Sequence, residues 1–250
     1  MSYRGDYACV DHHEGEDAMS SITIQASDGS GSFAAYLVEP GGKPAGAIVL
    51  IQEIFGVNQA MRDIAAWVAD IGFIAVCPDL FWRIQPGIDI TDKTDAEWKQ
   101  AFELFQKFDQ PKGIEDLKAT VAAARGLPGA NGKVGTMGYC LGGRLAFMMA
   151  EKSDADVNVS YYGVGLDSLV HDLGRVKHPL VVHIADKDEF FPAEGRAKVI
   201  AATKGHANIA TYVYPNADHA FARVNGVHWD ARSATIANGR STEALVAALG

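Results

Sequence analysis

The chain predicts an α/β fold, a mostly parallel β-sheet with helices on both faces. Three observations predict it. Strand-like and helix-like segments alternate from residue 47 to the C-terminus, a pattern that builds parallel sheets between helical layers. Ala47-Ile48-Val49-Leu50-Ile51 is a continuous apolar run, as expected of a strand buried on both faces. Gly138-Tyr139-Cys140-Leu141-Gly142-Gly143 stands between a partly apolar segment at 133–137 and good helix formers at 144–150, which reads as strand, sharp turn and helix.

Taken in order, residues 22–25 and 33–39 are strand-like and joined across the hairpin-type turn Asp28-Gly29-Ser30-Gly31. After a loop at 40–44 comes the apolar strand at 47–51. Asn58 is placed to cap a helix that carries Met61, Ile64, Ala65, Trp67 and Val68 on its apolar side and ends at Gly72. A buried strand at 73–77 stops at Pro78-Asp79, and a long loop containing Arg83 runs to residue 94. Helices are expected over 95–108 and 112–125, and Asn131-Gly132 reads as a turn before the next strand. Beyond the elbow helix, strands are expected at 157–162, 180–185 and 209–214, with helices at 193–203 and 231–249.

Composition sets the bounds. A chain of 250 residues, 48% hydrophobic and 21% charged, can bury a sizeable core. A net charge of −9 argues against sequence-independent binding of nucleic acid or an anionic membrane. It leaves room for a small anionic substrate, because a pocket can be locally basic. Cys9, Cys77 and Cys140 are far apart and form no CxxC pair. A disulfide framework and a zinc–cysteine site are therefore unsupported, no metal or other cofactor is expected, and a reducing cytoplasm fits best. Residues 1–19 are polar and acidic with no apolar h-region, so they read as an N-terminal extension rather than a signal peptide. Residues 20–250 then form one domain, a monomer or weak homo-oligomer, and no apolar run approaches the length of a membrane span.

The chemistry centres on Cys140. Gly-x-Cys-x-Gly between strand and helix has the form of a nucleophile elbow. The nucleophile takes a strained backbone position, and its neighbours two residues away come too close for side chains. Free N–H groups and the helix dipole there favour a thiolate. Such a nucleophile needs an acid and then a base later in the chain. Asp186 and Asp188 follow the strand at 180–185, and His219 follows the strand at 209–214. Residues beyond the carboxyl ends of parallel strands line the binding crevice. His219 can take the thiol proton while a carboxylate holds its tautomer. His183, inside a strand, reads as a core histidine. One oxyanion donor is expected at the Leu141 N–H, the other in the loop Gln52-Glu53-Ile54-Phe55-Gly56. Glu53 at the mouth of an apolar strand needs a partner to offset desolvation.

Six segments together resemble the dienelactone hydrolase (carboxymethylenebutenolidase) family. They are Gln52-Glu53-Ile54-Phe55-Gly56-Val57-Asn58, Cys77-Pro78-Asp79-Leu80, the elbow, Tyr161-Tyr162-Gly163-Val164-Gly165, Asp188-Glu189-Phe190-Phe191-Pro192 and His219-Ala220-Phe221-Ala222-Arg223. The resemblance runs from about Ser21 to the C-terminus. It implies an α/β-hydrolase fold and the triad Cys140, Asp188 and His219, preferring Asp188 to Asp186. It implies Leu141 and Ile54 as oxyanion donors. It implies that Glu53 meets the thiol at rest and helps form the thiolate when substrate arrives, and that Arg83 and Arg223 receive a substrate carboxylate. Arg144 departs from the small residue expected at its position. The implied reaction opens a carboxylate-bearing lactone through a thioester. Another ester or thioester hydrolase, a binding protein and a thiol redox sensor are the alternatives.

Overall fold

Apolar runs in this chain become strands, and the periodic segments between them become helices. The computed structural model describes residues 20–250, so the extension read at 1–19 lies outside the described residues. β1 (Ser20–Gln25) and β2 (Ser32–Val38) pair antiparallel across the hairpin turn. There the Ser30 N–H donates to Asp28 Oδ1 at 3.0 Å, an Asx-type turn. Then follow β3 (Ala45–Ile51), α1 (Gln59–Asp70), β4 (Ile74–Pro78), α2 (Asp95–Lys107), α3 (Gln110–Arg125) and β5 (Ala130–Tyr139). The chain continues through α4 (Leu141–Lys152), β6 (Val157–Tyr161), β7 (Leu180–Ala185), α5 (Ala193–Thr203), β8 (Ile209–Tyr214) and α6 (Ala231–Leu249). The eight strands form one sheet in the order β1-β2-β4-β3-β5-β6-β7-β8. β1, β2 and β4 are joined antiparallel, and β4, β3 and β5 to β8 run parallel. Among the described residues no helix is long and apolar enough to cross a membrane.

Strand pleating distributes the core. Along β3, Ala47, Val49 and Ile51 pack with residues of α3 and α4, whereas Ile48 and Leu50 pack with residues of α1 and α6. All five are fully buried, so both faces of β3 need a helical layer and the run contains no polar residue. The helix ends follow from local chemistry. Asn58 caps α1 by accepting from the Met61 N–H at 3.2 Å. Thr94 and Glu97 cap α2 reciprocally, Glu97 N–H donating to Thr94 Oγ1 at 3.3 Å and the hydroxyl donating to Glu97 Oε2 at 2.7 Å. α3 starts at Gln110, two residues before the predicted 112, because Asp109 caps it and Pro111 suits the first turn. β5 also begins early. Asn131-Gly132 lies inside the strand, where Ala130 pairs with Ala45 and the Asn131 amide donates to the Leu249 carbonyl at 2.9 Å.

β5 runs into α4 through Cys140, whose φ of 56° and ψ of −113° belong to neither element. The turn is tight enough to exclude side chains on both sides of it. A Cβ on Gly138 would lie 2.0 Å from the Gly142 carbonyl oxygen, and one on Gly142 would lie 2.1 Å from the carbonyl oxygen of Ile51. Both obstacles are backbone and cannot rotate away. Gly142→Ala should therefore cost about 3 kcal/mol or more of stability, read as a lowered urea midpoint. A loss below about 0.5 kcal/mol would show that β3 and α4 can separate.

Candidate active site

The parallel strands deliver the candidate residues to one edge of the sheet. The segment after β3 carries Glu53 and Ile54, Cys140 directly follows β5, and the loops after β7 and β8 carry Asp188 and His219. Cys140, His219, Ile54 and Arg223 line a common cavity of ≈ 210 Å³. His219 Nδ1–H donates to Asp188 Oδ2 at 2.8 Å, and both side chains are almost wholly buried. Asp188, not Asp186, is the carboxylate that meets the ring. Its other oxygen accepts from the Phe190 N–H at 2.9 Å. Arg196 on α5 braces this loop, donating to the carbonyls of Asp186 at 2.6 Å and Asp188 at 3.1 Å. The His219 ring lies edge-on between Tyr162 and Phe190, with centroids 5.2 and 4.9 Å away.

These contacts set the charge on the ring. Burial disfavours the imidazolium, but the Cys140 sulfur and the Asp188 carboxylate favour it more strongly and push the His219 pKa up to about 10. Next to the sulfur, Leu141 opens α4, so its N–H lies outside the helical ladder. The Ile54 N–H meets no acceptor among the described residues. Gln52 holds this backbone in place, accepting from the Leu80 N–H at 3.0 Å and donating to the Glu53 carbonyl at 3.3 Å.

Two expectations are corrected. Glu53 does not partner the Cys140 thiol; both its oxygens accept from Arg223, Oε2 from Nε at 2.7 Å and Oε1 from Nη2 at 3.1 Å. A bidentate charge-assisted pair outcompetes a weak S–H donor for a buried carboxylate. Arg83 does not line the cavity with Cys140. Its guanidinium grips Asp116 of α3 at 2.9 and 2.7 Å and reaches Asp28 of the hairpin turn at 3.0 Å. The Asp116 side chain is only 1% exposed, and a buried carboxylate requires such a cation. Of the two arginines expected to receive substrate, Arg223 alone faces the site.

Arg144 decorates the wall rather than the chemistry. It donates to the carbonyls of Gly165 at 2.5 Å and Val164 at 3.3 Å and to Gln110 at 3.2 Å, and Val164 lines the cavity. His183 is fully buried, bonded to the Tyr214 hydroxyl at 2.8 Å and the Ser241 hydroxyl at 2.9 Å. Burial and then Arg240 push its pKa down to about 3. Among the described residues no three His, Cys, Asp or Glu side chains are grouped to hold a metal.

Sequence reasoning missed the aromatic wall and Asp92. Trp98, Phe102 and Phe105 of α2 line the cavity together with Phe55 and Phe190. Trp98 meets Phe55 edge-on at 5.1 Å and stacks on Phe102 at 5.6 Å. The spacing of 98, 102 and 105 marks one helical face, which was available as a signal. Asp92 pairs with Arg223 Nη1, and nothing in its surroundings in sequence signals that.

Comparison with known proteins finds relatives over nearly the whole described chain. A model described as the dienelactone hydrolase family matches residues 33–249. A protein of Azospirillum brasilense is 52% identical over 225 residues, 89% of this chain and 96% of its own length. A Pseudomonas putida protein named carboxymethylenebutenolidase is 41% identical over 224 residues, 90% of this chain and 94% of its own. A crystal structure from Klebsiella pneumoniae superposes with a TM-score of 0.77 at 24% identity, covering 92% of this chain and 99% of that one. At that identity the last likeness concerns the fold alone.

The raised His219 pKa has a measurable consequence. Followed by NMR, the imidazole should stay protonated through neutral pH and titrate near pH 10. Cys140→Ala should lower that value by about one unit or more. Because the folded pKa is raised, the stability it contributes is whole below the ordinary histidine value of about 6.5 and is lost as pH rises towards the folded value. Wild type should therefore lose more stability between neutral pH and pH 10 than Asp188→Asn. A wild-type ring titrating at the ordinary value would contradict this electrostatic account.

Proposed function

We propose that this chain, which belongs to the dienelactone hydrolase family, opens an activated lactone that bears a carboxylate. Membership makes it a hydrolase of ester bonds. The finer reading is 4-carboxymethylenebut-2-en-4-olide opened to maleylacetate. One observation carries it: Cys140 sits at a strained elbow in the same cavity as His219, itself paired to Asp188, and as the buried cation Arg223.

In this reading the Cys140 thiolate attacks the lactone carbonyl, forming a carbon–sulfur bond. Negative charge moves to the carbonyl oxygen, which the Ile54 and Leu141 N–H groups stabilise in this reading. Collapse breaks the ring C–O bond and releases an enolate, which takes the proton held on His219. Neutral His219 then removes a proton from water. The resulting hydroxide attacks the thioester, the thiolate departs, and the carboxylic acid formed loses its proton to solvent as the free carboxylate. A thiolate suits this substrate because it leaves readily itself, so productive collapse needs a leaving group as good as an enolate. Arg223 draws the substrate carboxylate. The free thiols Cys77 and Cys140 support a reading in which the reaction runs in a reducing cytoplasm. A hydrolase of another, more apolar ester or thioester is the second reading, favoured by the aromatic lining of the cavity.

Three measurements test the first reading. Purified protein should hydrolyse cis- or trans-dienelactone, with Cys140→Ala inactive and His219→Ala lowered in kcat by about 10³-fold or more. Acid-quenched turnover should leave an acyl adduct on the Cys140 peptide. Arg223→Gln should raise KM for the charged lactone far more than for a neutral ester. Wild type inactive on both lactones but active on neutral aryl esters would replace this reading with the second.

A further inference from the structure

Besides His219, whose charge is held between Cys140 and Asp188, the described lining of the cavity carries one cation, Arg223. That cation is not free. Glu53 takes Nε and Nη2, and Asp92, on the loop before α2, takes Nη1. All three side chains are nearly buried, with exposures of 9% for Arg223, 4% for Glu53 and 9% for Asp92. One positive and two negative charges leave this cluster with a net charge of −1 next to the reacting atoms. The neutral face of Phe55, 5.1 Å from the guanidinium carbon, covers the group further. An incoming carboxylate therefore meets an arginine with three of its five N–H groups held by carboxylates, and meets net repulsion.

The two carboxylates are not equivalent. Glu53 lies in the loop beside the oxyanion donor Ile54. Asp92 lines a second cavity of ≈ 130 Å³, on the far side of Arg223 and Phe55, which is shared with Asn58, Asp63 and Lys93. An Asp92 side chain displaced from Nη1 can enter that polar space and be solvated, beside the Lys93 ammonium. Asp92 also touches the aromatic wall, because its carbonyl accepts from Trp98 Nε1 at 2.9 Å.

We infer that Asp92 is a specificity-determining residue: it occupies the outer donor of Arg223 and sets how strongly the site favours neutral apolar esters over carboxylate-bearing ones. A charged substrate competes with Asp92 for Arg223 Nη1 and binds more tightly once Asp92 moves into the second cavity. A neutral ester on the aromatic wall leaves the ion cluster intact. The inference rests on the reading of Arg223 as the carboxylate receptor.

The test uses the full-length protein and two aryl esters of equal size, one ending in a carboxylate and the other in its carboxamide. The quantity read is the ratio of kcat/KM for the charged ester to that for the neutral one. Asp92→Asn keeps the shape and removes the charge. It should raise the ratio about tenfold, chiefly through KM for the charged ester. Asp92→Glu should restore the wild-type ratio. Asp92→Ser carries the same expectation should the asparagine variant fail to fold. In an Arg223→Gln background, Asp92→Asn should change the ratio less than twofold. A ratio within twofold of wild type in Asp92→Asn or Asp92→Ser, while Arg223→Gln collapses it, overturns the role of Asp92 and leaves Arg223 as receptor. A ratio unmoved by Arg223→Gln removes the receptor and the inference together.

Discussion

Three backbone segments meet around Cys140 more closely than side chains permit. Gly142, in the first turn of α4, packs against the carbonyl of Ile51 at the end of β3, and Gly138 at the end of β5 packs against the Gly142 carbonyl. The next strand joins them: the Cys140 N–H donates to the Tyr161 carbonyl at 3.1 Å, and the Ser160 hydroxyl donates to the Gly143 carbonyl at 2.7 Å. The strained φ of Cys140 persists because this clamp over-determines it. The position of the sulfur and the accessibility of the Leu141 N–H follow from it. So does the distance to the Ile54 loop, since β3 and β5 are adjacent in the sheet.

Around the clamp, two buried carboxylates are each held by an arginine. Asp116 would be an isolated carboxylate under the hairpin without Arg83, and Glu53 would be one at the mouth of β3 without Arg223. An unpaired charge at either place would cost several kcal/mol. The chain therefore commits one arginine to each. This division, rather than the number of arginines near the strand ends, decides which of them a substrate can meet. His219 follows the same logic, with Asp188 and the sulfur together holding the charge that burial opposes.

The wall opposite the sulfur comes from a helix outside the sheet's repeating pattern. α2 packs Trp98 and Phe105 against the core, and Phe102 remains 41% exposed at the cavity. Phe190, 40% exposed, faces it from the loop that carries Asp188. The sheet edge thus positions Cys140, Asp188 and His219, while α2 lines much of the rest of the cavity.

Local pattern was enough for the frame. The apolar run of β3, the cap at Asn58 and the glycines at 138 and 142 each state a local physical requirement, and the order of Cys140, Asp188 and His219 along alternating elements brings all three to the sheet edge. Boundaries shifted where a partner decided them, as at Asn131-Gly132, which pairing with β3 and the end of α6 draws into β5. Residues distant in sequence were not legible. Whether Arg83 or Arg223 faces the cavity depends on Asp116 and Glu53, which lie 33 and 170 residues away from their respective partners. Asp92 lies 131 residues from Arg223. Sequence by itself determined which groups could react, because strand, turn and helix are dictated by short-range sterics and periodicity. Tertiary structure alone decided which charges neutralise one another, because pairing depends on distances that only the packed chain defines.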